Sequence, residues 1–338
     1  MQKQNRFEII NYENVPAEQW DQLVEESTMG YVYHRYAVTA MDEYQENCNC
    51  SFAIYDRIDG QILFVMPLFW DEKSKKLISR YGFVVADGLP RHYRMKLEEF
   101  YKSHMNMLLK KYGVRSVVSE QPSLCAYNMP NQGQTSINPF YFFGFKPGLR
   151  YCWVVDLQKP ENAILDECEQ TTRQAIRKFA EETAYCFCCV TPEQEAASCE
   201  EFIQLSAQTY GRSAKKSKSE DYYRHLFKHI DSSGRKLYCI RSKCDGSMIV
   251  GAIIGIHANT AVYSYGASVA EKPVGISKYL FYQIMLDLKK QNIRYFETGG
   301  AYSYLPKTEK LRGISDFKKS FGTFLHTIHM GEFFERNG

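Results

Sequence analysis

The sequence predicts an α/β fold with mixed sheets, built as two copies of one module in tandem. Three observations carry that prediction. The chain has 338 residues, too many for one ordinary domain. The order strand, helix, helix, strand, strand, helix, strand occurs twice along it. An Asp-Gly turn, first Asp59-Gly60 and then Asp245-Gly246, marks the hairpin of each copy. The copies share element order and almost no sequence identity.

The first copy opens with Phe7-Glu8-Ile9-Ile10 as a short strand. Residues 15–24 read as a helix, with Pro16 near its first turn. Residues 34–44 read as a second helix. Residues 51–56 and 61–68 alternate as hairpin strands around Asp59-Gly60. Residues 95–112 form a helix ended by Gly113, and residues 114–119 a strand. The polar stretch 122–139 is a loop, either a boundary or a lid over a cleft.

The second copy starts at the strand 151–157. Helices are expected over 161–182, 193–210 and 221–230, with a strand at 185–190 between the first two. Strands 236–241 and 248–256 flank Asp245-Gly246, and 260–266 follows. A helix over 277–291 then leads to a strand over 293–298. These boundaries place the first module at 1–150 and the second at 151–322.

Hydrophobic content of 44% and charged content of 24% are those of a globular protein. A net charge of +3 gives no case for a DNA-coating surface. The most apolar run, Ile249 to Ile256, is of strand length, and the N-terminal residues carry no apolar signal region. A cytoplasmic location is the expectation, and the 11 cysteines fit it as reduced thiols. Their odd number and irregular spacing do not suggest a structural metal site, and His225 with His229 lack a third ligand nearby. Cys186 and Cys188 alternate in Tyr185-Cys186-Phe187-Cys188-Cys189, placing both on one face of a strand.

The most informative segment closes the second copy. A strand ends in Glu297-Thr298-Gly299-Gly300, and Gly313-Ile314-Ser315-Asp316-Phe317-Lys318-Lys319-Ser320-Phe321-Gly322 follows. Gly-Gly lets a ligand approach the backbone, because no Cβ intervenes. Lys318 is a cation within reach of a developing negative charge. The Phe-Lys-x-x-Phe-Gly run reads as the start of a further strand. Phe317 and Phe321 are equally readable as core, and Lys318 as a solvated strand end.

This hairpin, the Gly-Gly strand end and the Gly-Ile-x-x-Phe-Lys-x-x-Phe-Gly segment resemble the Fem family of bacterial acyl- and aminoacyltransferases. The resemblance covers nearly the whole chain in layout and residues 150–322 in motif. It implies two tandem GNAT-like acyltransferase modules. It also implies that a tail over 323–338 returns to complete the first sheet. The implied activity is transfer of an acyl or aminoacyl group onto an amine of a cell-envelope precursor, either a peptidoglycan peptide or an amino sugar. The precursor would be a small molecule or lipid-linked. No cofactor is permanently bound; aminoacyl-tRNA or acyl-CoA serves as co-substrate, so tRNA is one expected partner.

Lys318 is the implied charge stabiliser and Phe317 the adjacent donor wall. Glu297 is the candidate carboxylate for proton removal. Gly275, Ile276 and Ser277, at a helix start, are the donor-binding candidates, because a helix N-terminus favours phosphate; Gly299 and Gly300 join them. Arg212, with Tyr222 and Tyr223 on the following helix, matches the acceptor-phosphate segment, near Lys215, Lys216 and Lys218. Arg173 and Arg177 lie four apart on one helix face and suit a phosphate or RNA backbone. One departure from the family concerns the acceptor: the early helix around His34 to Asp42 lacks the lysine used by members that bind a UDP-linked muramyl pentapeptide. Two alternatives remain open, an acyl-CoA-dependent N-acyltransferase and a non-catalytic binding module.

Overall fold

The computed structural model describes residues 6–41, 48–129, 137–212 and 218–335. The chain divides into two compact units, Met1–Arg150 with Thr327–Gly338, and Tyr151–His326. The tail thus joins the first unit from Thr327, later than the 323 read from sequence.

Unit 1 begins with β1 (Phe7–Asn11), α1 (Ala17–Glu26) and the short α2 (Tyr36–Thr39). Its strands continue as β2 (Cys48–Asn49), β3 (Phe52–Asp56), β4 (Gln61–Met66), β5 (Phe69–Asp71), β6 (Lys76–Ser79) and β7 (Val84–Val85). Helix α3 (Arg91–Tyr112) and β8 (Ser116–Glu120) follow. One sheet has the order β1-β3-β4-β7, and β8, β6, β5 and β2 are neighbours in a second. The β3–β4 hairpin turns at Gly60, whose φ of 69° only glycine adopts without strain. Helix α3 ends at Gly113 in the left-handed region, where the Gly113 and Val114 N–H groups donate to Lys110 and Leu109 carbonyls. The core is a cluster of rings. Phe64 lies 5.1 Å from Phe83 and 5.0 Å from Tyr101, and Phe83 lies 4.4 Å from Phe143.

The helix expected over 34–44 is instead a 3-10 turn at Val32–His34 followed by the four residues of α2, and residues 42–44 lie outside the described residues. Strands β5, β6 and β7 are too short to have declared themselves in the sequence. The polar stretch 122–139 carries 3-10 turns at Ala126–Asn128 and Pro139–Tyr141, and its residues 130–136 lie outside the described residues.

Strand β9 (Lys146–Asp156) enters unit 2 at Tyr151, and α4 (Glu161–Asp166), α5 (Gln170–Ala180), β10 (Tyr185–Cys189), α6 (Glu195–Gly211) and α7 (Glu220–Lys228) follow. Strands β11 (Arg235–Ser242), β12 (Met248–His257) and β13 (Thr260–Ser268) form a meander. Helix α8 (Ile276–Lys290), β14 (Tyr295–Gly300) and α9 (Lys310–Lys319) complete the unit. The sheet order is β10-β11-β12-β13-β14-β9. The single helix expected over 161–182 is broken between α4 and α5, where Cys168 turns into the core. The final strand β15 (Phe324–Phe334) pairs antiparallel with β8, Met330 opposite Glu120 and Phe334 opposite Ser116.

Residues 310–319 correct the sequence reading. They form helix α9, not the start of a strand. Phe317 and Phe321 are four apart and stack edge-on at 5.1 Å, the contact helical spacing creates. Gly322, at φ 70°, then stops the helical path.

Candidate functional site

Strands β13 and β14 are parallel and joined by α8, as a parallel pair requires. They pair over three residues only, Thr260–Val262 with Tyr295–Glu297. Beyond that they part. Strand β13 stays with β12 as far as Ser268, and β14 turns to β9, with its register shifting between Glu297 and Gly299. The gap opens at the carboxyl ends of the parallel strands, where open α/β sheets bind ligands.

A cavity of about 640 Å³ opens beside this gap, over the ends of β12 and β13 and the start of α8. Small residues line it, Ala252 on β12 and Gly266 and Ala267 on β13. Phe281 and Phe317 form an aromatic wall, their rings 5.3 Å apart. Gly275, Ser277 and Lys278 bring the start of α8 to it. Gly275 is the N-cap at φ 90°, and a Cβ there would press on the Ala175 carbonyl at 3.0 Å. Helix α8 can therefore begin only at a glycine, close against α5. The first N–H groups of a helix have no partner within it, and its dipole favours an anion there.

Lys318 lies at the parting of the strands. Its Nζ sits 5.7 Å above the Tyr263 ring. It also lies across Gly299, where any Cβ would collide with Nζ. Gly299 has φ 119°, a conformation side chains rarely adopt. The Gly-Gly strand end thus makes room for a lysine from α9. Helix α9 is anchored by Ser315, which is buried and accepts hydrogen bonds from Trp153 Nε1 and the Tyr302 N–H, both at 2.9 Å. Arg312 ties the preceding loop down through the carbonyls of Ser303 and Leu305. Glu297 is half-buried on β14, at the last parallel pair.

A cationic group stands at the far end of β13. Arg212 donates to the Ser268 carbonyl at 2.9 Å, and Lys272 Nζ to Ser268 Oγ at 2.9 Å. Thr209 Oγ1 donates to the Ser268 carbonyl and accepts from the Ser268 N–H, fixing the strand end. Burial, then the charge of Arg212, lowers the Lys272 pKa. Lys272, Ser268 and Thr209 line the cavity, so an anion bound there would meet the Lys272 ammonium, with Arg212 bonded just behind at the Ser268 carbonyl.

The other sequence candidates lie elsewhere. Ile276 is buried in the core and offers only its backbone. Gly300 sits against the Tyr302 ring, which a Cβ would meet at 2.8 Å. Tyr223 is buried, its hydroxyl 2.7 Å from Ser206 Oγ, and Tyr222 is buried with its hydroxyl 2.5 Å from that of Tyr265. Both tyrosines pack α7 rather than reach into the cavity. Arg173 and Arg177 share a face, but Arg173 caps the Asp166 and Cys168 carbonyls and Arg177 pairs with Asp166 at 3.6 Å. They secure α5 to the end of α4. Lys215 and Lys216 lie outside the described residues, and Lys218 stands 5.0 Å over the Tyr222 ring.

Sequence reasoning missed Tyr263, Ser315 and Thr209. A Tyr-x-Tyr-Gly strand end was the available signal for Tyr263: its hydroxyl fills the space a Gly266 side chain would take. Among the described residues, no group of three potential ligands is placed to hold a metal, and no helix is long and apolar enough to cross a membrane.

The parted sheet and the helix that joins its parallel strands fit one class, the acetyltransferase-like (GNAT) fold. Residues 167–319 match the acetyltransferase (GNAT) domain family. Among solved structures, FemX is similar with a TM-score of 0.67 at 14% identity, over 95% of this chain and 96% of that one. The C-terminal domain of a putative lysylphosphatidylglycerol synthetase from Agrobacterium fabrum gives 0.59 at 14% identity, over 95% and 92%. A tandem GNAT protein from the clavulanic acid biosynthesis pathway gives 0.55 at 12% identity, over 98% and 99%. The chain therefore has a Fem-like fold of two tandem GNAT modules. No curated protein matches it in sequence.

Proposed function

We propose that unit 2 transfers an acyl or aminoacyl group from a phosphate-bearing carrier onto an amine of a cell-envelope precursor, either a peptidoglycan peptide or an amino sugar. One observation carries the reading: Lys318 is held across Gly299 at the parting of β13 and β14, its Nζ over the ring of Tyr263, which lines a cavity that also receives the start of α8. The amine nitrogen attacks the acyl carbon directly. The bond from that carbon to the carrier's oxygen or sulfur breaks, and the amine proton passes by way of a base to that departing atom, which leaves as a hydroxyl or thiol. Lys318 donates to the oxyanion formed on the way, and Glu297 takes the proton. The backbone of Gly275, Ile276 and Ser277, with Arg212 and Lys272, holds the carrier's phosphates. Phe317 forms the wall beside the acyl group.

The synthetase with the similar fold is named for lysylphosphatidylglycerol, an aminoacyl lipid, which supports an aminoacyl donor and an envelope acceptor. A second reading replaces the aminoacyl-tRNA donor with acyl-CoA. It is favoured by the helix start at Gly275, suited to a pyrophosphate.

The test offers labelled aminoacyl-tRNA and acyl-CoA in parallel, with amino-sugar nucleotides and peptidoglycan peptides as acceptors. Labelled amide formed from aminoacyl-tRNA is the expected result. Amide formed only from acyl-CoA would change the donor. No amide from any pair, alongside tight binding of a nucleotide sugar, would make the protein a binding module.

A further inference from the structure

The cysteines of β10 take no part in the proposed transfer, yet one of them has a partner. In the antiparallel register of β10 and β11, Cys188 stands directly opposite Cys239. Their Sγ atoms are 3.2 Å apart. Opposed residues on antiparallel strands have Cα atoms about 4.5–5.5 Å apart. That lies inside the roughly 4.4–6.8 Å span of a disulfide. Strand β10 is the end strand of its sheet, and Cys188 is half-buried while Cys239 is buried. Cys186 is engaged differently, with its Sγ against the Arg241 carbonyl at 3.8 Å, and Cys189 packs on the opposite, aliphatic face.

We propose that Cys188 and Cys239 are a modification site, a dithiol that a hydroperoxide converts into a reversible disulfide across β10 and β11. The two sulfurs have unequal roles. The hydrogen bond from Cys239 and the nearby Arg241 guanidinium lower the Cys188 pKa against the opposing effect of burial. The same hydrogen bond and burial raise that of Cys239. Cys188 is therefore the attacking thiolate and Cys239 the resolving thiol.

Cys188 sulfur attacks one peroxide oxygen and the O–O bond breaks. Cys188 becomes a sulfenic acid, and the other oxygen leaves as an alcohol, or as water when the oxidant is hydrogen peroxide. Cys239 sulfur then bonds to Cys188 sulfur, and the sulfenic hydroxyl departs as water with the Cys239 proton. The two thiols are oxidised by two electrons, and the peroxide is reduced by the same two. The site is independent of the transfer reading, because the oxidant enters from the exposed side of β10.

The test treats the full chain with one equivalent of hydrogen peroxide, alkylates the remaining thiols, and maps tryptic peptides. Expected are a mass loss of about 2 Da, one disulfide, and the peptide 237–241 joined to 179–212. A thiol reductant should reverse both. The link should survive in C186S and C189S and vanish in C188S and C239S. Recovery of peptide 237–241 fully alkylated from the oxidised wild type would overturn the proposal, as would a link that persists in C188S.

Discussion

The two units use the same kind of hairpin-and-helix plan to opposite ends. In unit 1 the second strand of the Asp-Gly hairpin carries Phe64, and the sheet face is filled by Phe83, Tyr101 and Phe143. In unit 2 the corresponding meander carries Ala252, Gly266 and Ala267, and these small residues line the cavity of about 640 Å³. The helix starts differ as well. Helix α3 starts after Pro90 and α8 after Gly275 at φ 90°. Large rings close a module; small residues, a glycine cap and an imported lysine open one. The first set of residues packs a core, and the second is the set on which the proposed transfer depends.

The strongest way to break this contrast is Phe64→Ala. Emptying the ring cluster should cost about 3–5 kcal/mol, read from denaturant unfolding, with donor binding in unit 2 unchanged at temperatures where the variant stays folded. A near-neutral variant would show that the rings do not hold unit 1.

Gly299→Ala comes next. The added Cβ takes the space of Lys318 Nζ and forces a side chain into φ 119°. The expected destabilisation is about 1–3 kcal/mol, accompanied by loss of transfer. Equal destabilisation with full turnover would separate backbone strain from lysine placement.

A pH measurement sharpens the unit 1 side. His104 packs against Phe52 at 4.5 Å, and burial, then Lys111, lowers its pKa to about 4. The unfolded chain therefore binds the extra proton first. Stability is full above the ordinary histidine range near 6.5 and falls as pH drops toward 4, by at most about 3 kcal/mol. His104→Gln should flatten that slope; an unchanged slope would assign it to other groups.

The smallest effect is expected at the cavity's cationic end. Arg212→Ala should weaken binding of a phosphate-bearing donor about tenfold, roughly 1.4 kcal/mol, and reduce its salt dependence. Donor affinity should also decline as pH rises past the lowered pKa of Lys272, because the anion then loses a cation. Affinity indifferent to both would place the donor phosphates elsewhere.

Much of the fold was legible because it rests on local chemistry. Gly60 and Gly246 turn their hairpins at φ 69° and 73°, and Gly113 caps α3. The site was legible in part. Phe317, Gly275 and Ser277 line one cavity and Lys318 lies across Gly299, but Phe317 and Lys318 stand on a helix where the sequence alone suggests a strand. The Phe317–Phe321 spacing of four was the overlooked helical signal. Tyr222, Tyr223, Arg173 and Arg177 illustrate what spacing cannot convey. A helix face is visible in sequence, but whether it meets solvent, a carbonyl or a ligand is decided by long-range packing. Ser315 was invisible for the same reason, since its partners Trp153 and Tyr302 come from β9 and from the loop after β14.

The most direct test of the central claim is the turnover of Lys318→Ala with donor binding measured on the same preparation. If the lysine stabilises charge only in the transition state, kcat should fall about a hundred- to a thousandfold while donor affinity and the unfolding midpoint stay near wild type. Near-normal turnover in that variant would remove Lys318, and with it the parting of β13 and β14, from the chemistry.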